Sequence, residues 1–331
     1  MATGNTTNNL LVSRMEYLRI TYIHHTPNIF FSETLMPRRS IVRMIFQVFQ
    51  RLGIHITSNN FYGPIPDTRT LKDELWNKAS ELIGVNMNDS EQLQLLSLFL
   101  SGFKKEYDSF PRNKTGIPHQ FYVSNSAFES IDCEILYSMI RHFKPCNIIE
   151  IGSGNSTYLM AQAIQRNKEE GCNCNLTAID PYPNSIVKQG FPNLSNLIIK
   201  KVEDAPLSLF QKLQASDILF IDSSHVLKIG NDVQHEYLEI LPRLNKGVLV
   251  HFHDIFLPNE YPKEWVLKDR TFWNEQYLLQ AFLTFNNRFE VVWASAYMQQ
   301  KYSDRFESAF GSFNRNKEIP PGSFWIRRIG D

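Results

Sequence analysis

Apolar residues recur along the chain in two rhythms, and the change falls near residue 145. Before it, they return at helical spacing. Residues 34–52 carry Leu35, Ile41, Met44, Ile45, Val48, Phe49 and Leu52, and Leu71 to Leu82 also reads as helical. Ser90 to Phe103 puts Leu93, Leu96, Phe99 and Leu100 on one stripe, and Ser130 to His142 does the same with Ile131, Ile135, Leu136, Met139 and Ile140. Between the first two stretches, Asn59 to Pro66 holds two prolines two residues apart, which predicts extended chain. A polar stub precedes all of this.

From Cys146 onward, short β-branched runs alternate with helical ones. Strands are expected at Asn147–Ile151, Leu176–Ile179, Leu197–Lys200, Asp217–Ile221, Val248–His253, Phe289–Ala294 and Phe324–Arg327. The helices between them start near Ser156, Asn184, Pro206, Asn231 and Phe272, and Asn231 is a good N-cap. Strands that are apolar throughout, separated by helices, imply a mainly parallel sheet covered on both faces. Ligands of such sheets bind outside the carboxyl ends of the strands.

The unusual residues fall at those ends. The first strand runs into Glu150-Ile151-Gly152-Ser153-Gly154-Asn155-Ser156-Thr157. Glycines at a strand-to-helix turn let a ligand approach the backbone. A dinucleotide site prefers a third glycine where Thr157 stands. Glu150 would repel a diphosphate but suits a ligand with a cationic end. Asp180, which closes the second strand before Pro181, can accept both hydroxyls of a ribose. A ligand with an amino-acid head, a cationic centre and a ribose fits these residues better than a nicotinamide dinucleotide.

Glu150-x-Gly152-x-Gly154 with Asp180 after the next strand resembles the cofactor motif of class I S-adenosylmethionine-dependent methyltransferases. Asp217-Ile-Leu-Phe-Ile-Asp222-Ser-Ser-His225, followed by a helix and Gly247-Val-Leu-Val-His251-Phe-His253-Asp254, is similar to the small-molecule group described as methyltransferase domain 24. The resemblance covers about residues 120–328. It implies an α/β Rossmann-like fold: a seven-stranded, mostly parallel sheet with helices on both faces and the last strand antiparallel. A mainly helical N-terminal domain (1–142) would precede the methyltransferase domain (143–331) and serve as cap, pocket wall or contact between copies in a homo-oligomer. The implied cofactor is S-adenosyl-L-methionine, held by Glu150, Gly152, Ser153, Gly154, Ser156, Asp180, Pro181, Glu203, Asp222 and Ser223. The implied reaction is methyl transfer to a small-molecule acceptor, most readily O-methylation of a specialised metabolite.

Asp222 to His225 end one strand, and His251, His253 and Asp254 end its neighbour. Two carboxylates suit Mg or Ca, and added imidazoles shift the preference toward Mn, Fe or Zn. Related metal-dependent O-methyltransferases hold their ion with an acid after strand four and an acidic or amide pair after strand five. That resemblance gives Asp222, His253 and Asp254 as the metal set. His253 stands where several relatives carry a carboxylate, a departure that leaves metal identity and dependence open. Without a metal, His225 or His253 is the base beside Asp222, since an imidazole titrates near pH 6.5. His251, one layer deeper than His253, reads as a hydrogen-bonded core histidine. For the acceptor, Phe121, Tyr122 and Asn125 precede the sheet, and Trp265 and Trp273 follow strand five, where family substrate loops insert. Two other readings use the same residues: a metal-dependent hydroxylase with a two-His-one-carboxylate iron site, and a cofactor-binding scaffold without turnover.

Composition narrows the partners. The 331 residues hold 34 Lys+Arg and 34 Asp+Glu, so no global field draws nucleic acid or an anionic membrane. Neither is expected as a partner. With 43% apolar and 21% charged residues, a packed core is expected. No apolar run approaches the roughly 20 residues of a membrane span. The start, Met-Ala-Thr-Gly-Asn-Thr-Thr, lacks the basic and apolar regions of a secretory signal, which predicts a cytoplasmic protein. Four cysteines are too few for a disulfide framework, and Cys172-x-Cys174 alone is a weak metal signal.

Overall fold

The β-branched runs after residue 145 form strands because both faces of each are covered. In the computed structural model, which describes residues 38–313 and 320–330, these are β1 (Asn147–Ile151), β2 (Asn175–Ile179), β3 (Leu194–Ile198), β4 (Ile218–Ile221), β5 (Leu249–Phe252), β6 (Phe289–Ala294) and β7 (Phe324–Arg328). They make one sheet in the order β3-β2-β1-β4-β5-β7-β6. β1 to β5 pair in parallel, and β7 lies antiparallel between β5 and β6. Seven strands with the last one antiparallel are as the resemblance implies, although β3 starts three residues before the expected Leu197–Lys200 and ends at Ile198.

Alternate strand residues feed two cores. Ile148, Leu176, Phe220, Leu249 and Trp325 face one side, packed with Leu159, Met160 and Ala163 of the helix Asn155–Glu169. Ile149, Ile151, Leu219, Ile221, Val250 and Phe252 face the other, with Val233, Tyr237, Leu279 and Leu283. This two-residue period is what a sheet buried on both faces requires.

The domain boundary differs from the expected 142/143. The chain divides into residues 1–64 and 65–331. The helices Asp89–Tyr107 and Asp132–Phe143 contribute Leu96, Phe99, Ile135, Leu136 and Met139 to the same core as β1 and Trp293. Polar ties cross the expected boundary too. The Ala294 amide donates to Gln92 Oε1 (2.8 Å), Asn88 Nδ2 to the Val291 carbonyl (2.9 Å), and Asn167 Nδ2 to the Ile140 carbonyl (2.8 Å). The change of rhythm marks the start of the sheet, not the edge of the packed unit.

Three local expectations are also corrected. Of Leu71 to Leu82, only Glu74–Asn77 is helical. Tertiary bonds hold the rest irregular: the Ser80 amide to the Pro258 carbonyl (2.8 Å), Trp76 Nε1 to the Tyr261 carbonyl (2.9 Å) and Gln280 Nε2 to Ser80 Oγ (2.8 Å). Asn59 to Pro66 turns rather than extends, because Asn60 Oδ1 accepts from the Tyr62 amide (2.9 Å) and the Asn60 carbonyl from the Gly63 amide (3.0 Å). The helix expected from Phe272 begins at Glu275. In the unit 1–64, the first predicted helix is present as Arg38–Arg51, while Leu35 and the polar stub lie outside the described residues. No helix among the described residues is long and apolar enough to cross a membrane.

Candidate active site

β1 and β4 are neighbours, and the chain winds outward from them in opposite directions. That reversal opens a crevice at their carboxyl ends. Gly152 leaves β1 at φ +91°, and a Cβ there would sit 2.3 Å from the Asp222 carbonyl oxygen. Close packing of the backbone after β4 therefore already requires glycine at position 152. At Gly154 an added Cβ would meet nothing within 4 Å, so the space over the turn is open to a ligand.

Glu150 is fully buried, and its Oε1 accepts from Ser156 Oγ (2.6 Å) while Oε2 has no partner. Burial pushes this carboxyl up to about 8, against the lowering effect of the Ser156 and Thr157 hydroxyls. A buried, half-partnered acid beside an open backbone turn fits a ligand with a cationic end. Ser153 Oγ donates to Asp180 Oδ2 (2.5 Å), and Asp180 Oδ1 accepts from the Tyr182 amide (2.7 Å). Pro181 is exposed beside it, and Glu203 sits half-buried in the single turn Val202–Asp204 after β3. Ser223 Oγ donates to Glu236 (3.1 Å), a buried acid whose carboxyl burial drives upward.

The loops after β4 and β5 bring the second group together. His225 (φ +57°) and Asp254 (φ +55°) both adopt left-handed backbone, which costs a residue with a Cβ about 1–3 kcal/mol and concentrates at functional sites. His225 Nε2 lies 3.2 Å from Asp222 Oδ1 and 3.7 Å from Asp254 Oδ2. One ligand atom from each of the three residues lies within 4.8 Å of the others. Ligands about 2.0–2.3 Å from a shared ion stand roughly 3–3.5 Å from each other, so a small inward movement of these side chains would close the trio on a divalent cation. Behind it, His225 Nδ1 meets Glu275 Oε2 at 3.0 Å, and the Tyr237 hydroxyl donates to Glu275 Oε1 (3.3 Å). The His225 carbonyl accepts the Asn274 and Glu275 amides, which fixes the start of the helix Glu275–Leu283.

His253 is as buried as His225 but held differently. Its Nδ1 is 3.5 Å from Asp254 Oδ2 and 3.6 Å from Asp222 Oδ1, and its Nε2 is 3.9 Å from Asp132 Oδ2. All exceed a good hydrogen bond of about 2.7–3.2 Å. Asp132 is itself occupied by the Gly322 (2.7 Å) and Ser323 (2.9 Å) amides, and burial raises its carboxyl. Burial alone would lower both imidazoles, but the acids outweigh it: Asp222 and Glu275 push His225 up to about 10, and Asp254 and Asp222 hold His253 well above its usual value. Asp222 is driven down in return, because His253 and His225 overcome the upward push of burial. His251 is the core histidine expected, stacked on Phe220 (4.0 Å between centroids) with Nε2 3.0 Å from Ser323 Oγ; burial pushes it well below the usual imidazole range.

The trio lines a pocket of about 490 Å³ together with Ser126, Asp132, His253, Trp265 and Trp273. The two indoles stand nearly perpendicular, 5.3 Å apart, and Trp273 lies 4.3 Å from the His225 ring. Phe121 and Asn125 do not serve this pocket as expected. Phe121 is fully buried in the core, and Asn125 donates to the Tyr122 and Phe128 carbonyls and accepts from the Ala127 and Phe128 amides within its own loop. Tyr122 is half-buried in the same segment. Sequence reasoning missed Glu275 and Asp132. The signal for Glu275 was an acid in register with Leu279 and Leu283, on the buried stripe of its helix. Cys172 and Cys174 are free thiols and join no metal-ligating group among the described residues.

Residues 149–255, about a third of the chain, match the methyltransferase domain family, number 24 of its group. The matched stretch runs from within β1 to just past β5, and it contains the glycine turn, Asp180 and the trio Asp222, His225 and Asp254. A protein of Archaeoglobus fulgidus, itself uncharacterized, is 28% identical over 178 residues, covering 52% of this chain and 79% of the relative. Among solved structures, CmcI with Mg and S-adenosylmethionine is similar at 16% identity and TM-score 0.34, over 59% of this chain and 70% of its own. The plantazolicin methyltransferase BamL gives 13% and 0.36, over 73% and 99%. An O-methyltransferase from Bacillus cereus bound to S-adenosylhomocysteine gives 12% and 0.35, over 73% and 91%.

Proposed function

We propose that the protein transfers a methyl group from S-adenosylmethionine to an oxygen of a small molecule, with a divalent ion beside the acceptor. The observation that carries this reading is the contact of Gly152 with the Asp222 backbone, which sets the open glycine turn against the histidine–carboxylate cluster. A methyl donor and a proton-accepting centre must lie within reach of one acceptor atom, and the two loops share a wall. Glu150, Ser153, Gly154 and Ser156 would hold the amino-acid head, Asp180 the ribose, and Glu203 the adenosine. Bound adenosylmethionine supplies an electrophilic methyl, and a divalent ion supplies positive charge for a developing alkoxide. A divalent ion beside Asp222 and Asp254 would offset the negative charge that keeps the His253 imidazole protonated, leaving His253 to take the acceptor's proton, and Trp265 and Trp273 flank the acceptor.

The test is formation of S-adenosylhomocysteine, followed by mass spectrometry, with labelled adenosylmethionine and a panel of hydroxylated small molecules, with and without EDTA. Acceptor-dependent formation that EDTA suppresses and a divalent ion restores is the expected result. Stoichiometric Fe(II) in anaerobically purified protein with no adenosylmethionine affinity would instead assign the hydroxylase chemistry. Binding without turnover on every acceptor would assign a scaffold.

A further inference from the structure

The two buried histidines of the cluster differ in what stands behind them. His225 Nδ1 is bonded to Glu275 at 3.0 Å, and Glu275 is 1% exposed and also receives the Tyr237 hydroxyl. That leaves Nε2 toward Asp222 and Asp254. A carboxylate behind an imidazole fixes its tautomer and ring angle and raises its basicity as a ligand. His253 has no such anchor, since its nearest acid on the far side is 3.9 Å away and is bonded to two backbone amides. It is nine-tenths buried in the site and makes no close hydrogen bond there, so nothing fixes its ring for coordination.

We infer that the metal centre is Asp222, His225 and Asp254, with Glu275 as the positioning residue that makes His225 a ligand, and that the centre selects an imidazole-accepting ion such as Mn²⁺ over Mg²⁺. The inference rests on the proposed function only for what the ion is used for; ligand identity is tested on its own. An imidazole at one of three protein positions favours the transition ion, because Mg²⁺ prefers oxygen ligands throughout. The ligand set thereby differs from the expected one by a single residue, with His225 in place of His253.

The test uses the full chain, loaded with Mn²⁺ alone or Mg²⁺ alone. Calorimetry should give Mn²⁺ binding tighter than Mg²⁺ by about tenfold or more. Pulsed electron paramagnetic resonance of the Mn²⁺ protein should show nitrogen-14 coupling from one imidazole. That coupling should vanish in His225→Ala and in His225→Gln, the second variant guarding against misfolding of the first, and persist in His253→Ala. Glu275→Gln should keep the coupling but weaken Mn²⁺ binding about 10–100-fold with the melting temperature held. Coupling that survives both His225 variants and disappears in His253→Ala would overturn the assignment, as would equal affinity for Mg²⁺ and Mn²⁺. S-adenosylhomocysteine titrated into the same samples keeps the readings apart, because a lost cofactor site with intact nitrogen coupling strikes the proposed function and not the ligand set.

Discussion

At the end of β1 the chain turns on Gly152 and Gly154, whereas after β4 and β5 it turns through His225 and Asp254, both in left-handed backbone that glycine would adopt at lower cost. The two turns touch, since Gly152 has no room for a Cβ against Asp222. Yet they solve opposite problems. The first removes side chains so that backbone can meet backbone on one side and leave space on the other. The second keeps side chains despite the strain, because the imidazole and carboxylate are what the position is for. Backbone geometry shapes the glycine loop, and charge balance shapes the cluster.

If that division holds, damage to the two loops should have different signatures. The largest effect is expected in the cluster. His253→Ala should reduce kcat by about 10²–10⁴ while S-adenosylhomocysteine binds within threefold of wild type, as steady-state kinetics beside calorimetry can check. Wild-type turnover in His253→Ala would move the base elsewhere. Next come the two glycines. Gly152→Ala should cost about 2–4 kcal/mol of stability through the clash with Asp222 and the strained φ. Gly154→Ala should leave denaturant midpoints near wild type and weaken cofactor binding instead. If both variants lost stability alike, the space over Gly154 would not be a ligand site.

Asp180→Ala should weaken S-adenosylhomocysteine binding by about 1–3 kcal/mol, with turnover on saturating cofactor little changed. A last effect, read as a pH dependence, concerns Glu150. Its folded carboxyl is raised from an ordinary 4.5 to about 8, so the stability it contributes is fully present below about 4.5 and lost as pH rises through 8. In ligand-free protein, the melting temperature of Glu150→Gln should therefore gain on wild type between pH 5 and 8 and run parallel above that. A constant difference across the range would mean that Glu150 is charged in the fold.

The same division explains what could be read from the sequence. The Gly152–Gly154 loop, Asp180 and the seven strands were visible because they are local: a glycine spacing, an acid before a proline, a two-residue rhythm. Asp222, His225, His253 and Asp254 were visible as strand ends in a parallel sheet. Which histidine is anchored was not, because that depends on Glu275, fifty residues from His225 and brought under it by packing. Phe121 and Asn125 looked like pocket residues because aromatic and amide side chains before a sheet suit a pocket and a core equally. Burial and a saturated hydrogen-bond loop place them in the scaffold. The boundary at 142 failed for a related reason, since a change of rhythm records a change of element and not where packing stops.

The central claim is that the open turn over Gly154 receives S-adenosylmethionine. Titration calorimetry of S-adenosylhomocysteine into wild type and Gly154→Val, each first shown to have the same circular dichroism spectrum, tests it most directly. One site on the wild type and no measurable heat with Gly154→Val is the result expected, because a valine side chain would fill the ligand's space. Equal affinity in both proteins, or no binding to a folded wild type, would contradict the account.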